Sequence, residues 1–109
     1  MSQVLVHQAG PLPIKATVPW PTSNPVLLAV SGSAWTQKPN TMLAVTVTIH
    51  AQTVATLQLF ANQAGTHMAF PTAFSSFTGD FGEQTITITA ANDSTITDQN
   101  DVFTIGLIF

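Results

Sequence analysis

The stretch from Glu83 to Phe109 constrains the fold more than any other part of the chain, because it holds two strand-like segments of different character around a polar loop. In Gln84–Ala90, Ile86, Ile88 and Ala90 alternate with Thr85, Thr87 and Thr89, the period-two pattern of a strand with one face buried and the other in water. Val102–Phe109 differs. Phe103, Ile105, Leu107 and Phe109 share one face, while Val102, Thr104, Gly106 and Ile108 share the other, so neither face is properly polar. A strand that is apolar on both faces needs cover on both, and in a chain of 109 residues the second cover is expected from another subunit. The sequence therefore predicts a homo-oligomer whose interface draws on Phe103, Ile105, Leu107, Ile108 and Phe109.

Upstream, short apolar runs recur between turn signals. Residues 3–8 and 13–18 read as strands held to a sheet edge by Pro11 and Pro13. Pro19-Trp-Pro-Thr-Ser-Asn-Pro25 reads as a stiff loop that exposes Trp20. Val26–Trp35 reads as a strand bent at Gly32. Thr41–His50 alternates cleanly, with Leu43, Val45, Val47 and Ile49 on one face. It leads into Thr53–Ala61 through a turn expected to be longer than two residues, since Ala51-Gln52 lacks the glycine or asparagine that tight hairpins prefer. Thr66–Phe77 is read as a strand followed by irregular chain around Pro71. About eight short strands with no convincing helix and no internal repeat predict an all-β antiparallel sandwich of the jelly-roll type, filling one domain over residues 1–109. The competing architecture is a seven-stranded immunoglobulin-like sandwich, which requires no threefold assembly.

Composition narrows the function. Charged residues are 6% of the chain, against about 25% in an average soluble domain, so solubility rests on Thr, Ser, Asn and Gln. With two isolated lysines and a net charge of −3, the chain lacks the clustered cations that nucleic acid or an anionic membrane would need. There is no cysteine to form a disulfide or a thiolate metal site. Met1–Ala9 carries no basic residue ahead of its short apolar run and does not read as a secretory signal, and no run approaches the roughly 20 apolar residues of a membrane span. The expectation is a soluble protein synthesised in the cytoplasm, with non-classical release left open.

His67, then Gly79 or Gly82 followed by Gln84-Thr-Ile86, then Asp98-Gln-Asn-Asp101 with Phe103 opening a last apolar strand, resembles the tumour necrosis factor and complement globular-head superfamily. The resemblance covers residues 26–109. It implies a jelly roll of two antiparallel sheets that assembles as a homotrimer, with the last strand near the threefold axis. Small stand-alone members of this kind look like bacterial or phage proteins, some of which resemble sugar-binding lectins.

Few residues suggest chemistry. Asp93, Asp98, Asn100 and Asp101 form the acidic cluster of the chain, and Asp98, Asn100 and Asp101 are candidate calcium ligands, since a hard cation takes oxygen donors at alternate loop positions. Their spacing also resembles the calcium loop of a group of small bacterial lectins. The simpler reading is a turn shaped by Asp and Asn side chains on nearby N–H groups. His7, His50 and His67 have no ligand spacing. Trp20 and Trp35 are suited to stacking on a sugar, Trp20 from its loop, whereas Trp35 after its strand reads first as core. Asn92-Asp-Ser94 matches a glycosylation acceptor. No Ser, His and Asp stand in a recognisable catalytic order, so the chain is not read as an enzyme. The sequence is read as a non-enzymatic, lectin-like carbohydrate-binding module with Trp20, Trp35 and His67 as ligand contacts. The alternative is a structural component of a phage fibre or particle.

Overall fold

Thr-rich alternating segments pair as antiparallel strands because each presents one apolar face to bury and one polar face to water. The computed structural model describes residues 2–109. Its strands are β1 (Ser2–Ala9), β2 (Ile14–Trp20), β3 (Val26–Ser31), β4 (Ser33–Ala34), β5 (Thr41–Ile49), β6 (Gln52–Ala61), β7 (Met68–Ala69), β8 (Ala73–Phe77), β9 (Gly82–Ala90) and β10 (Val102–Ile108). No helix occurs among the described residues.

One sheet runs β1-β10-β3-β8 and the other β2-β9-β5-β6, with the short β4 and β7 paired apart from both. With β4 and β7 set aside, the eight remaining strands pair first with last, second with seventh, third with sixth and fourth with fifth. This nested order is that of one antiparallel ribbon wound into two sheets, the jelly roll expected from the sequence. The inner faces meet in one core that includes Leu28, Val30, Leu43, Val45, Ile88 and Phe103.

Four details depart from the sequence reading. The β5–β6 hairpin closes on two residues, His50 and Ala51, both at positive φ (48° and 64°), although neither is the glycine or asparagine such a turn favours. Here the long β5–β6 register, from Thr41 opposite Ala61 to Ile49 opposite Gln52, overrides the local preference. Trp20 does not lie in an exposed loop. It ends β2 and is 1% exposed. Residues 73–77, read as irregular, form β8.

The terminal strand is the fourth case. β10 lies between β1 and β3, and Phe103, Ile105 and Leu107 are fully enclosed in the chain's own core. They cannot also face another subunit. Of the five residues expected at an interface, Ile108 and Phe109 keep exposed surface, joined by Val102.

Candidate functional site

Loops 10–13, 32–40, 62–72 and 91–101 gather at one end of the sandwich, and Asp101 organises them. It precedes β10, and its side chain is completely buried. A buried carboxylate is costly unless its oxygens accept hydrogen bonds. Oδ1 accepts from the Ser33 hydroxyl at 2.7 Å and from His67 Nδ1 at 2.8 Å. Oδ2 accepts from the Asp98 N–H at 2.9 Å. The backbone adds to the knot: Asp101 N–H donates to the Asp98 carbonyl at 3.0 Å, and Gly10 N–H donates to the Asp101 carbonyl at 2.7 Å. Gly10 is needed there because a Cβ would lie 2.8 Å from the Asp98 carbonyl oxygen.

Asp101 thereby fixes His67. With Nδ1–H donating inward, the neutral ring carries its lone pair on Nε2. Nε2 stands 3.6 Å from Asp98 Oδ2, and the two side chains are 36% and 41% exposed. The hydrogen bond to Asp101 holds the His67 pKa above its ordinary value of 6.5, and the charges of Asp101 and Asp98 add to this while partial desolvation opposes it. The other oxygen of Asp98 accepts from the Asn100 N–H at 2.8 Å, shaping the turn as the simpler reading anticipated.

Trp35 completes the site. Reciprocal 2.9 Å backbone hydrogen bonds tie it to Ile96, and its ring centroid lies 5.9 Å from that of His67, tilted by 41°. Unlike Trp20 it is only half-buried. Beside it a shallow cleft of about 170 Å³ is lined by Thr36, Gln37, Lys38, Asp93, Ser94 and Ile96.

The other candidates fall elsewhere. Trp20 seals the opposite end, edge-on to Phe77 at 5.4 Å. His7 pairs with the Thr104 hydroxyl on the outside of a sheet, and His50 occupies the β5–β6 turn. Asn92 spends its side chain on structure: Oδ1 accepts from the N–H and hydroxyl of Thr95, and Nδ2 donates to the Met42 carbonyl.

His67, Asp98 and Asp101 each offer a ligand atom within 4.8 Å of the others. They do not fit calcium as folded. A hard cation takes six to eight oxygens, whereas both oxygens of Asp101 already serve inward donors and one oxygen of Asp98 serves Asn100. Sequence reasoning missed Ser33, which lies 68 residues from Asp101 and carries no motif.

No family model and no curated protein matches the sequence. Solved structures do match. A carbohydrate-binding module, CBM36, solved in complex with calcium and xylotriose, superposes with a TM-score of 0.53 at 16% identity over 100% of this chain and 87% of that one. The C-terminal domain of EclA, described as a sugar-binding protein, gives a TM-score of 0.54 at 13% identity over 99% and 79% of the two chains. At these identities the likeness establishes the β-sandwich fold.

Proposed function

We propose that the chain is a non-enzymatic carbohydrate-binding module, residues 1–109 forming one unit, with its site at the loop end around Trp35, His67 and Asp98. The observation that carries this reading is the pairing of an imidazole Nε2 with a carboxylate oxygen 3.6 Å away, both partly exposed, beside a half-buried indole. A sugar presents hydroxyls that donate and accept at one edge and C–H groups on its face. Asp98 and His67 suit the first, and an aromatic ring suits the second. The likeness to two sugar-binding structures supports the reading, and the xylotriose ligand of one makes xylan-type oligosaccharides the first to try.

Within this proposal Asp101 touches no sugar and acts by holding His67. Binding does not require calcium, since Asp98 and Asp101 have too few free oxygens. The proposal also includes self-association. It is supported by Val102, Ile108 and Phe109, exposed by 41%, 45% and 40%. The threefold arrangement implied by the resemblance to tumour necrosis factor has no equivalent support, because Phe103, Ile105 and Leu107 belong to the core.

A glycan array on the purified protein, with and without calcium, tests the reading. Binding that weakens in both Trp35→Ala and His67→Gln supports it. No binding under either condition would replace it with the structural reading, a component of a phage fibre or particle.

A further inference from the structure

Among the described residues, the outer face of the sheet β1-β10-β3-β8 carries no Lys, Asp or Glu side chain, and its ionisable side chain is His7, hydrogen-bonded to the Thr104 hydroxyl. Lys15 and Glu83 belong to β2 and β9 of the other sheet, Lys38, Asp93, Asp98 and Asp101 to the loops of the candidate site, and Asp80 to the loop before β9. One row of residues crosses all four strands of this face in register: Val4 opposite Gly106, Gly106 opposite Ala29, and Ala29 opposite Phe74. The ends of the row are tall, with Val4 and Phe74 each 63% exposed, and the middle is low. Ile108, 45% exposed, lies opposite Leu27 in the neighbouring row.

Gly106 has no role in its own chain that demands glycine. Its φ is not positive, and a Cβ there would meet only the Gln3 carbonyl oxygen at 3.7 Å, an ordinary contact. Glycine inside a strand weakens it and marks a bulge or a place where another group approaches closely. β1 has its bulge between Val4 and Val6, beside Gly106, and that bulge does not fill the space above the glycine. The recess it leaves is flanked by Ala29 on one side and Val4 on the other, and Phe74 in the same row is a projecting side chain of a size to enter such a gap.

We propose that the chain pairs with a second copy of itself through this face, with Phe74 of each copy seated over Gly106 of the other. Strands about 4.8 Å apart place Phe74 roughly 10 Å from Gly106 along the row. A two-fold axis parallel to the strands and passing over Ala29 brings each phenyl ring onto the opposite glycine. An axis across the strands would set Phe74 against Phe74 and leave both recesses empty. The contact is self-complementary, as a two-fold interface requires, because one row supplies both projection and recess. A face without Lys, Asp or Glu side chains lets two identical copies meet without burying an unpaired charge.

The axis has a functional consequence, which rests on the carbohydrate reading. Rotation about a line parallel to the strands leaves both loop ends pointing the same way. Two copies of the Trp35–His67–Asp98 site then face one surface, and a surface bearing many sugars is held by both at once.

Analytical ultracentrifugation of the full chain at micromolar concentration tests the pairing. The wild type is expected at the mass of two 11.5 kDa chains. Phe74→Lys and Gly106→Val should each halve that mass while keeping the far-ultraviolet dichroism of a folded β protein. Phe81→Lys, at a residue 74% exposed in the loop before β9, should leave it unchanged. A wild-type monomer, a trimer, or a dimer that survives both face substitutions overturns the proposal. On a densely glycosylated surface Phe74→Lys should lose on the order of a hundredfold in apparent affinity, with affinity for free oligosaccharide unchanged. If the masses behave as expected and the wild type binds no sugar, the pairing stands and the carbohydrate reading falls.

Discussion

The two tryptophans occupy opposite ends of the same sandwich and live under opposite rules. Trp20 is 1% exposed, meets Phe77 edge-on and closes the core, whereas Trp35 is half-buried beside His67 above it. Both indole N–H groups are hidden from solvent and find no acceptor within the protein. One end spends its aromatic on stability, and the other keeps part of its ring in reach of solvent. Surroundings decide the use of a tryptophan more than residue type does.

The largest effect that could break this contrast is Trp20→Ala. Removing a large buried aromatic costs about 3–5 kcal/mol, a sizeable share of the 5–15 kcal/mol typical of a domain. Denaturant titration should show that loss, and an equal loss in Trp35→Ala would erase the difference between the ends. Next comes Asp101→Ala, which strips the acceptor from Ser33, His67 and the Asp98 N–H. At about 1–3 kcal/mol for each buried group left unpaired, it should cost roughly 2–4 kcal/mol, because part of the site can open to water. The His67 imidazole resonances should move at the same time, and an unmoved spectrum would remove Asp101 from the role of holding the ring.

Smaller again is Trp35→Ala read in binding. Loss of an aromatic platform is worth about 1 kcal/mol, roughly fivefold in Kd, measurable by calorimetry with an oligosaccharide once one is found. Trp20→Phe, which keeps the far end filled, should leave that Kd alone.

The smallest effect is the pH dependence. The folded pKa of His67 is raised above 6.5, so protonation stabilises the fold. That contribution is complete below the unfolded value and disappears as pH rises through the higher folded value. His67→Gln should therefore trail the wild type in melting temperature by more at about pH 5.5 than at about pH 9. A gap that widens toward alkaline pH would reverse the sign and remove Asp101 and Asp98 as its cause.

Alternation made most of the long strands legible: Ile86 and Ile88 are buried between half-buried threonines, and Leu43, Val45, Val47 and Ile49 are buried as their period-two pattern implies, whereas Ala44 is buried as well and Ala90 is exposed. Trp20 was misread because three nearby prolines look like loop. Pro19 is in fact tolerated in β2, since that strand is an edge and its outward side has no ladder hydrogen bond to lose. The turn at His50 and Ala51 hid for a related reason, as pairing along the whole hairpin outweighed two unfavourable φ angles. Within the site, Asp98 and Asp101 stood out as a local turn signal. Their joining to His67 and Ser33 spans 34 and 68 residues of sequence and has no periodicity to reveal it.

The nested strand order also bears on how such a chain reaches its fold. Ser2 pairs opposite Ile108, so the first strand must wait for the last, and β10 fills the middle of its sheet between β1 and β3. Until β10 leaves the ribosome, β1 and β3 have no common neighbour. Contacts this distant in sequence make folding slow, on the scale of milliseconds to seconds rather than microseconds. The nascent chain therefore emerges with exposed strand edges, and its near absence of charge leaves little to keep them apart. Emergence of β10, more than any early local event, should trigger folding of these sheets.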